Sequence, residues 1–250
     1  TGHHARVTKD GTTWQLRRGR DVAKDQSYVL YMLGQEQLAR VLLPIGELTK
    51  EEVRRLASDL DLRTAGKPDS QDVCFISKSG GRGSFVGERI PLREGRLVGT
   101  NGDDLGEVEA LELVTVGQRR GLGLHAVSLP ERRYVVAVDL AKRVAMVGPL
   151  EDLLVERLQI DELSWSYLPL VAGSAVQVQL SAHGRPLRGQ WLGGPDPECG
   201  TVMLEEPTRR VAPGQAVVLY AAGPADDAGG AGRPEVGQSE EVVVGGGTAV

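Results

Sequence analysis

Lys67-Pro68-Asp69-Ser70-Gln71-Asp72-Val73-Cys74-Phe75 marks the point where the chain changes character: mixed helix and strand signals precede it, and short strands separated by turns follow from Gly83 onward. The stretch is polar and turn-prone, ends in a short apolar run, and holds one of the chain's 2 cysteines. A cysteine kept for packing behaves as a small hydrophobe and belongs in an unbroken apolar run. Cys74 reads instead as a reactive thiol. Lys67 and Lys78 favour its thiolate and Asp72 opposes it, so local charge alone leaves a half-buried packing role open.

Upstream, Thr12-Thr13-Trp14-Gln15-Leu16 fits a short strand, and Ser27 to Arg40 fits a helical stretch broken near Gly34. Thr49 opens the clearest helix. Thr49 and Glu52 have capping-box spacing, and Val53, Leu56, Ala57 and Leu60 recur at helical spacing on one face, with Glu51, Arg54, Arg55 and Asp59 on a solvent face.

Downstream, Leu97-Val98 runs into Asn101-Gly102, a hairpin signal, and Tyr134 to Val138 and Val144 to Val147 flank a tight connection at Asp139 to Arg143. After a link near Pro149 to Leu154, the runs at Leu158 to Ile160, Val176 to Leu180, Thr201 to Leu204 and Ala216 to Tyr220 have the length and spacing of a small barrel. Gly223 to Ser239 is low in complexity, and Val242 to Thr248 reads as a closing strand, so the part between is expected to be an enlarged flexible loop at about 222–240. The fold class is α/β plus all-β, in segments 1–77, 78–150 and 155–250.

At 250 residues the chain is long enough for a sizeable core and one to three domains. No apolar run approaches the roughly 20 residues of a membrane helix, so no membrane partner and a cytoplasmic location are expected. Two cysteines make no disulfide framework, and no Cys/His spacing points to a metal. The net charge of −5 argues against a tight, non-specific nucleic-acid binder. Much of the excess acid (Asp226, Asp227, Glu235, Glu240, Glu241) sits in the Gly/Pro/Ala-rich stretch near the end. Arg17, Arg18, Arg20 and Lys24 form one basic run, and Arg119-Arg120 and Arg132-Arg133 form others, each read first as solvated surface.

Five motifs occur in one order: Thr1-Gly2-His3-His4-Ala5-Arg6, Lys24-Asp25-Gln26-Ser27-Tyr28, Leu43 to Lys50, Asp69 to Ile76, and Thr115-Val116-Gly117-Gln118-Arg119-Arg120-Gly121-Leu122-Gly123. Together they closely resemble the tRNA-specific 2-thiouridylases (tRNA-uridine 2-sulfurtransferases), from Thr1 to Val250. In that family an ATP-pyrophosphatase region with a Ser-Gly-Gly-x-Asp-Ser loop and a first catalytic cysteine precedes the Thr-Gly-His motif. Neither occurs in these residues, so the chain reads as the C-terminal two-thirds of such an enzyme, with 1–77 the remnant of its α/β adenylation domain, 78–150 a central tRNA-binding domain and 155–250 the barrel.

The resemblance implies that ATP, with magnesium as its counter-ion, activates the C2 oxygen of the wobble uridine of tRNA. A cysteine persulfide, loaded by a sulfur-donor protein, then delivers sulfur to C2. Cys74 matches the persulfide position. Gly2 matches a position close to ATP, where a missing side chain admits a nucleotide. His3 matches a tRNA contact, and Lys24, Asp25 and Gln26 match the segment lining the target base, lysine for phosphate and Asp and Gln for a splayed base edge. Without the resemblance, His3 is a surface histidine and Asp25 a helix cap. Gln215 matches a barrel contact to tRNA, and a further pair falls at Ser181 and Ala182, where the family's basic and aromatic residues are replaced and His183 and Arg185 stand nearby.

Gly117-Gln118-Arg119-Arg120-Gly121 is a glycine-flanked basic turn suited to phosphate but without phosphate-loop spacing. Cys199, in a Gly/Pro-rich turn, reads as a thiol without function. The competing readings are a non-catalytic RNA-binding fragment or degenerate gene product with Cys74 a relic, and a redox protein that pairs Cys74 with Cys199, which requires the two thiols within disulfide reach.

Overall fold

The computed structural model describes residues 1–67, 81–123, 132–221 and 242–250; Cys74 and the expected loop at about 222–240 lie outside them. The chain packs as two compact units. One joins Thr1–Lys67, Glu156–Glu206 and Pro213–Val250, and the other joins Pro68–Val155 and Pro207–Ala212. The first and third sequence segments thus share one unit.

The chain opens with an antiparallel hairpin of β1 (Ala5–Asp10) and β2 (Thr13–Arg18), turning tightly at Gly11-Thr12. The stretch expected to be helical from Ser27 to Arg40 is shorter and more broken than its pattern suggests. Single 3-10 turns cover Val22–Lys24 and Ser27–Leu30, and one turn of α1 (Gln35–Leu38) starts at Gly34. α2 (Lys50–Asp59) has the expected capping box, with the Thr49 hydroxyl accepting from the Glu52 amide while the Glu52 carboxylate accepts from the Thr49 amide. Its apolar face is not covered by the described residues: Leu56 and Leu60 are 44% and 69% exposed.

In the second unit a short helix α3 (Gly81–Gly87) precedes a four-stranded sheet of β3 (Gly95–Gly99), β4 (Asp104–Val108), β5 (Tyr134–Asp139) and β6 (Val144–Gly148). The strand order is β4-β3-β6-β5, with both expected hairpins antiparallel and β3 and β6 joined in parallel. Leu97, Val108, Leu111, Leu122, Val135, Ala145 and Val147 form its core. α3 escapes a sequence reading because its seven residues include three poor helix formers, Gly81, Gly83 and Gly87.

The remaining strands are β7 (Leu154–Trp165), β8 (Ala175–Gln179), β9 (Leu187–Gly193), β10 (Gly200–Arg209), β11 (Ala216–Ala221) and β12 (Val242–Ala249). They hydrogen-bond in the order β12-β11-β8-β9-β10-β7, and β7 pairs back to β12, so six strands close into the expected barrel. β9 carries no apolar alternation in its sequence, because Gly189 occupies a buried position beside Trp191.

β12 explains why the N-terminal segment belongs to the barrel unit. Val242 and Val243 pair with Arg17 and Leu16 of β2, whereas Gly245, Gly246, Thr248 and Ala249 pair with β7. One strand edge therefore serves two partners in succession; the changeover falls at Val244, and the β7 pairing opens with Gly245-Gly246-Gly247. A Cβ there meets the Ser164 carbonyl oxygen at 2.4 Å, the Tyr31 ring at 2.7 Å or the Asp161 carbonyl oxygen at 2.2 Å, so only glycine fits. The seam is backed by a core that draws Ala5, Leu16, Tyr28, Leu30 and Leu38 from the first segment and Val218, Tyr220 and Val243 from the barrel.

Candidate functional site

The residues between β2 and α1 form a loop held from inside by Asp25. Its carboxylate accepts from Arg18 Nη1 at 2.9 Å, the Gly19 amide at 2.8 Å, the Ser27 amide at 3.1 Å and the Ser27 hydroxyl at 2.8 Å. The Arg18 and Asp25 side chains are 10% and 4% exposed. The guanidinium also lies 3.8 Å over the Tyr220 ring, and the Tyr220 hydroxyl shares a 3.1 Å hydrogen bond with Ser27. Burial pushes the Tyr220 phenol up to about 12, although Arg18 and Ser27 pull it the other way. The expected base-lining residue Asp25 thus faces inward in this structure, spending its acceptor capacity on the loop.

Its neighbours are differently disposed. Gln26 is exposed, but its Oε1 accepts from the His4 amide at 2.9 Å and its own amide donates to the His4 carbonyl at 2.9 Å. This pair of hydrogen bonds, one to the Gln26 side chain and one from its backbone N–H, ties the Gly2-His3-His4 run to the loop. His3 is half-buried, with Nδ1 2.8 Å from the Thr1 hydroxyl, and Lys24 is half-buried in the first 3-10 turn. Gly2 is exposed, and a Cβ added there meets nothing within 4 Å.

The barrel residues reach the same place. Gln215 is exposed and donates from Nε2 to the Tyr28 hydroxyl at 3.1 Å, and that hydroxyl donates to the Ala216 carbonyl at 2.8 Å. Burial raises the Tyr28 phenol above its ordinary range, with the Gln215 bond opposing. Ala182 packs against the core cluster that contains Tyr28, and the carbonyls of Ser181 and Ala182 both accept from Gln179 Nε2. The structure therefore ties the run before β1 to Gln26, and brings Ala182 and Gln215 of the barrel to the cluster that holds Tyr28 and Tyr220. Those two tyrosines, with Arg18 and Ser27, are what sequence reasoning missed. Tyr220 ends an apolar strand 193 positions from Ser27, and nothing local signals such a partner.

Cys199 is a half-buried free thiol just before β10. A backbone hydrogen bond from Asp196 pulls its pKa down, but partial burial and the Asp196 carboxylate outweigh that bond and push it up. Among the described residues, no group of three His, Cys, Asp or Glu side chains is arranged to hold a metal ion, and no helix is long and apolar enough to cross a membrane.

Three family models match the chain in succession: the tRNA methyl transferase HUP domain over residues 1–78, the tRNA methyl transferase PRC-barrel domain over 83–149, and the Aminomethyltransferase beta-barrel domain over 155–228. The tRNA-specific 2-thiouridylase MnmA of Chloroflexus aggregans is 42% identical over 240 residues, which cover 95% of this chain and 66% of the relative. The chain belongs to the tRNA-specific 2-thiouridylase family. The MnmA of Chloroflexus aurantiacus is 40% identical over 240 residues, 94% of this chain and 66% of the relative, and that of Thermobifida fusca is 41% identical over 224 residues, 88% and 58%. The chain thus spans just under two thirds of the length of the 2-thiouridylases to which it is most alike among these. The HUP match ends four residues beyond Cys74, so the cysteine singled out in the sequence falls inside that domain.

Proposed function

We propose that this chain serves the formation of 2-thiouridine in tRNA, with Cys74 carrying the sulfur as a persulfide and the face around Tyr28 gripping the RNA. The observation that carries the reading is the linking of three separate stretches of sequence: the His3-His4 run is bonded to Gln26, and Gln215 is bonded to Tyr28, two residues beyond Gln26. The activity for which the relatives are named supports the same reading. Lys24 and Gln26 offer a cation and an amide to phosphate and base, Gln215 offers an amide from the barrel, and Asp25 holds the loop from below.

In the proposed transfer the terminal sulfur of the Cys74 persulfide forms a bond to C2 of the activated uridine, and the C2 oxygen departs with its activating group. A second thiolate, which the resemblance assigns to the family's first catalytic cysteine and not to Cys199, then attacks the inner sulfur of Cys74. The S–S bond to the base breaks, its electron pair stays on the base as the new C2 thiocarbonyl, and the disulfide left behind is reopened by a thiol reductant. A donor protein bearing a persulfide reloads Cys74, in the cytoplasm. ATP enters as the activating substrate through the resemblance alone. Gly2 is the described residue assigned to it, its surroundings are open, and the described residues form no phosphate cradle around it, so no step through ATP is derived from them.

Two results follow for the 250-residue chain. It should bind unmodified tRNA weakly, with affinity falling steeply as salt rises, and Gln215→Ala should weaken binding by about two- to fivefold, the worth of one hydrogen bond. Filter binding over a salt series measures both, and salt-independent binding, or none at low salt, overturns the RNA-gripping role. Incubated with ATP, a persulfide donor and tRNA, the same chain should yield no 2-thiouridine on nucleoside analysis, because no phosphate loop occurs in its sequence. Detectable product refutes that expectation.

A further inference from the structure

The second unit brings together two basic runs that are separate in sequence. The Gly117 amide donates to the Val135 carbonyl at 2.8 Å, and the Val135 amide donates to the Gln118 carbonyl at 2.9 Å, so the turn containing Arg119-Arg120 is clasped to the start of β5, just after Arg132-Arg133. Gln118 locks the turn. Its Oε1 accepts from the Thr115 amide at 3.1 Å and its Nε2 donates to the Arg120 carbonyl at 3.0 Å. Gly117 and Gly121 take φ values of 84° and 72°, a conformation that L side chains resist, so the sharp path of the turn depends on them.

Around this clasp Arg119, Arg120 and Arg132 are exposed, and none of the three enters an ion pair among the described residues. Arg133 is half-buried with its Nε shielded from solvent, and so presents less of its charge. Two further cations border the group: Arg209 lies 5.3 Å over the ring of Tyr134, and Arg82 donates to the Thr115 hydroxyl at 3.2 Å. Glu112, six residues before Gln118, is already engaged: the Arg93 backbone amide, and then its guanidinium at 2.9 Å, hold the Glu112 carboxyl below the usual range. A cavity of about 330 Å³ under the turn is lined by Gln118 and Gly121 together with Glu107 and Glu109, and none of the described residues lining it is cationic. The positive charge lies on the exposed arginines and not in that hollow.

We infer that Arg119, Arg120 and Arg132, assembled by the Gln118–Val135 clasp, form a contact site for RNA backbone phosphates. The inference rests on the proposed tRNA-directed function and adds to it a second RNA contact, in the other unit. Guanidinium groups suit phosphate oxygens through paired N–H donors, and a turn fixed in advance loses little freedom on binding. Because the contact is to backbone, it adds affinity without reading sequence.

The test compares salt dependence. For the full chain and unmodified tRNA, the slope of log K against log[salt] should fall by about 1.5–2 in Arg119→Gln/Arg120→Gln, and binding at about 50 mM salt should weaken at least about tenfold. Arg119→Lys/Arg120→Lys, which keeps both charges, should retain most of the slope. Arg55→Gln/Arg63→Gln, which removes the same charge elsewhere, should leave it nearly unchanged. If the wild-type chain binds tRNA and the Arg119→Gln/Arg120→Gln slope equals that of wild type, or if the remote pair lowers it equally, the site is refuted while the proposed function stands. If the wild-type chain binds no tRNA at low salt, both fall.

Discussion

Cys74→Ser, assayed in the full gene product, is expected to abolish 2-thiouridine formation while leaving activation of the uridine intact. The serine hydroxyl does not hold a sulfane sulfur under these conditions, so no persulfide forms and nothing reaches C2. Activation depends on groups elsewhere and continues, visible as release of pyrophosphate dependent on tRNA. Cys199→Ser should be nearly silent. Its thiol is half-buried and pushed up in pKa, with the Asp196 carboxylate beside it, so little thiolate is present to accept sulfur at neutral pH. Loading the protein from a persulfide donor, alkylating and mapping the peptides locates the carried sulfur directly. Sulfur found on Cys199, or a fully active Cys74→Ser protein, would overturn the mechanism.

The sequence was most legible where a signal is local. The α2 cap depends on two side chains three residues apart, and the β3–β4 hairpin turns at Asn101-Gly102, where the Gly102 φ of 92° meets the turn's demand for a left-handed residue. Four barrel strands and the closing strand β12 likewise stood out by apolar runs. What stayed hidden depends on long-range contact. The pairing of β2 with β12 joins Leu16 to Val243, and no periodicity in either segment points to the other. β9 hides behind a buried glycine, and α3 forms despite its glycines. For the candidate site, the motifs marked Gly2, His3, Lys24, Gln26 and Gln215 through resemblance, but Tyr28, which Gln215 bonds, and Tyr220, which braces Ser27, are ordinary core aromatics when read in sequence. Asp25 differs most between the two views: its motif suggests a base edge, and its surroundings give it an arginine, a serine and two backbone amides.

Asp25→Ala is accordingly expected to destabilise the chain by about 3–5 kcal/mol, because it leaves the buried Arg18 guanidinium without its carboxylate. The same change frees the Gly19 and Ser27 amides and the Ser27 hydroxyl from their acceptor, so the loop carrying Lys24 and Gln26 loosens as well. Urea unfolding monitored by circular dichroism reads the loss as a lower midpoint. Lys24→Ala, at a half-buried position one residue earlier, should shift that midpoint little. A double variant, Arg18→Met/Asp25→Leu, should recover much of the lost stability, since a buried ion pair replaced on both sides by apolar groups of similar size is often neutral. It should not recover tRNA affinity to the same extent, because the loop still lacks the acceptor that shapes it. Retained affinity in the double variant would show that the loop keeps its form without Asp25. An Asp25→Ala protein as stable as wild type but unable to bind tRNA would point the carboxylate outward to the RNA, and the interior role described here would fall.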